Sequence, residues 1–262
     1  MNPDLPGLRR YADTGLLLVP ATGQVTWRVG RTAYGPLSPQ LRDHTMATGW
    51  NRFDIHHGRT LYTASTRECA YSEVLEALKK PHTSPAAANK DATFLGLDPA
   101  TFAAQVATDW TTNHVAAPGT ITDDHWRTQR TLWSLRLPLT GWWVRLEDPD
   151  SMAAAEKAIP TELATAGAPT LDVGVLRGSN RVATVLVADW VHGLRLDDGT
   201  QPLGIHYDNK HATGHSWAYW MPRPDHRTPP EHEPVQVVTE HPVERADPDL
   251  FTVTRRFGIS LA

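Results

Sequence analysis

Apolar residues in this chain come in short runs closed off by turn formers, which limits it to short strands and compact helices. Residues 15–20 (GLLLVP) and 24–30 (QVTWRVG) are two such runs. The second alternates Val25, Trp27 and Val29 against Thr26 and Arg28, so it reads as a strand with Arg28 on its polar face. Residues 60–65 (TLYTAS), 142–146 (WWVRL), 203–207 (LGIHY) and 216–221 (SWAYWM) also read as strands, with further candidates near 92–97 and 235–239. Between them, Ser65 or Thr66 can cap a helix over 67–78 with an apolar stripe of Ala70, Val74 and Leu78. Helices are predicted over 99–110, after a cap at Asp150 or Ser151, and over 179–194, where NRVATVLVADWVHGL is apolar almost all round and belongs in a core. Residues 125–137, with Trp126 and Trp133, fit a strand or a helix equally. Residues 31–58 and 79–90 read as loops, the first long enough to be functional.

No linker interrupts the middle of the chain, so its 262 residues are expected to form one main domain over 1–221. Beyond Met221, prolines and charges crowd together, and residues 222–262 read as a Pro-rich C-terminal extension. The net charge of -4, with basic residues scattered, lacks the footprint of a nucleic-acid binder. No stretch approaches the roughly 18 apolar residues of a membrane helix, and residues 1–10 have no apolar leader region, so a cytoplasmic location is expected. The single cysteine, Cys69, excludes an intrachain disulfide framework and a thiolate-rich metal site. Placed on a helix beside Glu68, it reads as a small packing residue rather than a nucleophile.

Four patches carry groups suited to chemistry. Arg28 is a strand arginine, by itself a surface residue more often than a functional one. Trp50-Asn51-Arg52-Phe53-Asp54 lies in the long loop, where Arg52 is either tied by Asp54 or held as the fork of an anion site. Tyr62 is followed by Glu73 on the next helix, where a lone glutamate ordinarily faces solvent. Residues 204–211 (GIHYDNKH) end in a polar turn in which His211 and His215 have metal-ligand spacing, yet the Gly, Asp and Asn around them favour surface histidines, and no metal is assigned. Phosphate-loop, dinucleotide-fold and nucleophile-elbow motifs are missing.

Taken in order, Trp27-Arg28-Val29, Asn51-Arg52-Phe53-Asp54, Leu61-Tyr62-Thr63-Ala64-Ser65 and Ala70-Tyr71-Ser72-Glu73-Val74-Leu75 resemble the RES-domain family. The likeness extends through Asn180-Arg181-Val182, Trp190-Val191, Gly204-Ile205-His206-Tyr207 and Trp217-Ala218, covering about residues 25–221. It implies an α+β fold with an ADP-ribosyltransferase-like split mixed β-sheet core and flanking helices. It further implies an enzyme that cleaves the nicotinamide–ribose bond of NAD, by hydrolysis or with inorganic phosphate as co-substrate, as the toxin of a toxin–antitoxin pair. NAD is then substrate rather than bound cofactor, and an antitoxin protein is the expected partner; self-association is left open. Under this resemblance Glu73 stabilises the ribosyl cation, Arg28 and Arg52 hold pyrophosphate or phosphate, and Tyr62 contacts the nucleotide. The family's last motif usually carries Ser where this chain has Asn209, so two other readings stand beside the first: a nucleotide-binding protein without turnover, and an ADP-ribosyltransferase acting on a macromolecule.

Overall fold

The computed structural model describes residues 7–43, 47, 49–79, 85–113, 120–121, 124–211, 213–222 and 233–261. It consists of two compact units, one formed by Met1–Ala70 and Leu132–Glu240, the other by Tyr71–Thr131 and His241–Ala262. The division does not follow residue 221, because the chain from His241 onward joins the second unit. Residues 80–84 of the predicted 79–90 loop and 223–232 of the Pro-rich stretch lie outside the described residues.

In chain order the strands are β1 (Arg9–Arg10), β2 (Leu17–Pro20), β3 (Val25–Arg31), β4 (Leu41–Arg42), β5 (Gly58–Ala64), β6 (Thr120–Ile121), β7 (Arg130–Arg136), β8 (Trp142–Arg145), β9 (Gly204–Asp208), β10 (His215–Trp220), β11 (Gln236–Pro242) and β12 (Ser260–Leu261). The helices are α1 (Arg67–Leu75), α2 (Pro85–Phe94), α3 (Pro99–Asn113), α4 (Asp124–Thr128), α5 (Pro149–Ala158), α6 (Pro160–Thr165), α7 (Val173–Arg177), α8 (Arg181–His192) and α9 (Pro248–Phe257).

The first unit is built on a ten-stranded sheet in the order β1-β2-β8-β9-β10-β5-β3-β7-β11, with β4 added beside β5. The β8–β9 pair is parallel and β9–β10 and β10–β5 are antiparallel, so the sheet is mixed and the fold is α+β. Alternation along the strands separates its two faces. On one, Leu18, Val144, Ile205, Tyr207, Ala218 and Trp220 pack with Ala155, Leu163, Leu176, Val187 and Val191 from α5 to α8. On the other, Val19, Leu61, Trp133, Leu135, Trp143, Trp217 and Tyr219 form a separate cluster. The β9–β10 approach requires glycine at position 204, because a Cβ there would lie 1.9 Å from the Ala218 carbonyl oxygen.

Several local expectations change. Residues 92–97, predicted as a strand, are the end of α2 and its turn, and residues 125–137 are both helix and strand, as α4 and then β7. The helix expected to begin at Asp150 or Ser151 is capped by Asp148, which accepts from the Ser151 amide at 3.2 Å and puts Pro149 in the first turn. Helix α8 is not apolar all round: Ala183, Thr184, Val185, Val187, Ala188 and Val191 are buried while Val182 faces solvent. In β3 the apparent polar face is the covered one in part, since Val25 is exposed and Thr26 fully buried. Interior positions of this wide sheet have both faces occupied, so alternation in sequence does not report solvent.

The second unit contains a helix the sequence reading passed over, α9. Its cap is Asp247, which accepts from the Asp249 amide at 2.9 Å and the Leu250 amide at 3.3 Å, and also from the Tyr71 hydroxyl at 2.8 Å. Gly258 closes the helix in the left-handed conformation at φ 66°.

Candidate functional site

Arg28 sits on β3 between β5 and β7, half-buried. It shares a face with Gly30, where a Cβ would touch Trp133 at 3.1 Å, so it belongs to the Trp133–Trp217 side of the sheet. Its Nη1 donates to the Tyr62 carbonyl at 3.0 Å, its buried Nε has no hydrogen-bond partner, and no carboxylate pairs with it among the described residues. Burial of this unneutralised cation pulls its pKa from 12.5 down to about 10. The guanidinium stays charged at neutral pH, at a desolvation cost that an incoming anion would offset.

The loop before β5 is organised on the opposite face. Asp54, buried, accepts from Arg42 Nε at 2.7 Å, from the Asn51 amide at 2.9 Å and from the Tyr62 hydroxyl at 3.0 Å. That hydroxyl in turn accepts from the Phe53 amide at 2.9 Å. Burial, reinforced by Asp54, raises the Tyr62 pKa well above 10 and keeps the phenol protonated. Arg52 lies over the Tyr207 ring at 5.1 Å, and Trp220 Nε1 donates to the Phe53 carbonyl at 3.0 Å. Arg52 and Tyr62 are therefore brought together around Asp54 and Tyr207, whereas Arg28 meets Tyr62 through its main chain alone.

Glu73 lies on α1, half-buried, in the second unit. Asn209 is fully buried in the β9–β10 turn. Its amide donates to the Gly214 carbonyl at 2.8 Å, and its Oδ1 accepts from the His211 amide at 2.7 Å and the Thr213 hydroxyl at 3.3 Å. The asparagine side-chain carbonyl does here what a serine hydroxyl does less completely, capping a turn with a one-atom-longer reach.

The sequence reading missed a charged network on the Arg28 face, where β8 and β9 end and β10 begins. Asp208 Oδ2 accepts from Arg145 Nη2 at 2.7 Å and Arg177 Nη2 at 3.4 Å, while Oδ1 meets His215 Nδ1 at 2.7 Å. Glu147 binds Arg177 Nε at 2.7 Å and the Asp208 amide at 2.9 Å. Burial opposes ionisation of Asp208, but the Arg145 hydrogen bond and the charges of Arg145 and His215 hold its carboxyl below the usual range. Behind it, His206 is 2% exposed, contacts Arg145 Nη1 through Nδ1 at 3.2 Å, and has its rings 5.2 Å from His215 and 5.1 Å from Trp217. Burial, with Arg145 and His215 nearby, takes the His206 pKa down to about 3, so it is neutral. The signal was present in GIHYD and WWVRLE, whose alternate residues put His206 with Asp208 on one face and Arg145 with Glu147 close by.

Register connects the two groups. Trp217 opposes Thr63 and His206, and His206 opposes Arg145. Trp27 opposes Ala64, so the next step along these antiparallel strands puts Arg28 beside Thr63. Arg28, Thr63, Trp217, His206 and Arg145 thus form one row across adjacent strands. Thr63 Oγ1 and Trp217 Nε1 in this row are buried without hydrogen-bond partners among the described residues. Among the described residues no group of three His, Cys, Asp or Glu suited to a metal occurs. No described helix is long and apolar enough to cross a membrane. No family model, curated protein or solved structure matches the chain.

Proposed function

We propose that this chain has an ADP-ribosyltransferase-like RES fold and consumes NAD by cleaving its nicotinamide–ribose bond, acting as the toxin of a toxin–antitoxin pair in the cytoplasm. The observation carrying the proposal is Arg28: a desolvated guanidinium with no carboxylate partner among the described residues, on a row with polar atoms that also have none there. A dinucleotide pyrophosphate supplies the anion such a group favours, in the bidentate geometry a guanidinium matches. The family resemblance gives Glu73 the stabilisation of the ribosyl cation. Arg52 and Tyr62, joined through Tyr207 and Asp54, act by holding the loop that precedes β5. Purified protein mixed with NAD and phosphate should release nicotinamide, and Glu73→Ala should abolish that release. Unchanged NAD after prolonged incubation with folded protein refutes the proposal.

The turn-capping role of Asn209 favours one further reading, binding of NAD without turnover. Its signature is saturable binding with no product.

A further inference from the structure

Asn209 has both hydrogen bonds of its carbonyl oxygen engaged within the turn, so proton handling in this region falls to another group. We propose that His215 is the general base that deprotonates the attacking water, making the chain a hydrolase rather than a phosphorylase. This inference rests on the NAD-cleavage reading and names the acceptor for it.

The geometry of the imidazole is set from several sides. His215 opposes Asp208 across the β9–β10 hairpin, and its main-chain amide donates to Ser65 Oγ at 3.0 Å, fixing the strand end. Asp208 is oriented by Arg145 and Arg177 and stays ionised, so Nδ1 of a neutral His215 carries the proton that it donates at 2.7 Å. Nε2 then bears the free lone pair, the arrangement by which a carboxylate prepares an imidazole to accept a proton. The groups around it are Asp208 and His206 on β9, Arg145 on β8, Arg177 on α7 and Glu147 after β8. The two arginines are balanced by Asp208 and Glu147, and His206 is buried with its Nδ1 engaged by Arg145, so His215 is the more accessible imidazole of the pair. Its side chain is 36% exposed, which allows water to reach it.

His215 and Arg28 lie on the same face. From the row containing Arg28, His215 is two strands across and two residues along, a Cα separation of about 12 Å from sheet spacings. An arginine reaching inward to hold pyrophosphate leaves the attached ribose within that gap. In the reaction the water oxygen bonds to ribose C1′, its proton passes to His215 Nε2, and the C1′–N bond breaks with its electron pair going to nicotinamide. Inorganic phosphate, already an anion, needs no such base.

The test compares wild type, His215→Gln and Asp208→Asn in phosphate-free buffer, following nicotinamide release with and without azide, and checks folding by circular dichroism. Wild type should hydrolyse NAD without phosphate. His215→Gln should fall by roughly 10²–10⁴-fold and recover with azide, an anionic nucleophile that requires no deprotonation. Asp208→Asn should fall less and shift the pH profile. Full hydrolysis by His215→Gln, or a loss that azide does not restore, overturns the base assignment alone. Wild-type cleavage that occurs only with phosphate also overturns it while leaving NAD consumption standing. No cleavage under any condition overturns both.

Discussion

Replacing Arg28 with Met should make the protein more stable while removing its affinity for NAD. Burial lowers the Arg28 pKa from 12.5 to about 10, which corresponds to about 3 kcal/mol of unfavourable charge desolvation in the folded state. Methionine fills similar space without charge but gives up the hydrogen bond to the Tyr62 carbonyl, a loss of about 1 kcal/mol. The net gain of about 2 kcal/mol corresponds to a rise of roughly 4–8 °C in the unfolding midpoint. The sign also sets a pH dependence. Between about pH 10 and 12.5 the folded arginine sheds its proton while the unfolded one keeps it, so wild type should gain on the variant across that window. Paired thermal and urea unfolding, with and without NAD, measures all of this: NAD should raise the wild-type midpoint and leave that of Arg28→Met unchanged. A variant less stable than wild type would show that the guanidinium is already compensated, and the anion-site argument would fail with it.

Other residues give independent tests. His206, neutral down to about pH 3, keeps folded protein from taking up a proton that the unfolded chain binds below about pH 6.5. Stability should therefore decline by about 1 kcal/mol per pH unit as pH falls from 6.5 toward 3, and His206→Phe should flatten that decline in acid-urea titrations. Asp247→Ala removes both the α9 cap and the Tyr71 hydrogen bond, and should cost about 2–3 kcal/mol, read as loss of hydrogen-exchange protection in α9; unchanged protection contradicts the assigned cap. Asn209→Ser should lower the unfolding midpoint without increasing nicotinamide release, whereas a gain in release would return proton handling to position 209.

Strand and helix placement was legible where short-range rules act alone. Residues 99–110, 142–146 and 203–207 fell close to α3, β8 and β9 because turn formers bound them. The Asp-Pro pairs at 98–99, 148–149 and 247–248 all start helices, and two of these starts were missed or displaced because the apolar periodicity that follows is weak. The site was less legible. Arg28 stands out by pattern as a polar-face residue, but that face is covered in part, because neighbours far along the chain lie on both sides of β3. Asp208, Arg145 and His215 come together through pairings between residues as much as 61 positions apart, which no local spacing encodes. Cys69, fully buried with its sulfur 3.6 Å from the Ser216 hydroxyl, followed from its helical position beside Glu68.

Proton NMR of nicotinamide release from NAD, recorded for folded wild type and for Arg28→Met side by side, tests whether the protein consumes NAD through Arg28. Wild type should convert NAD progressively to free nicotinamide and the variant should not, whereas an unchanged NAD spectrum with wild type, or equal conversion by both proteins, contradicts NAD consumption through Arg28.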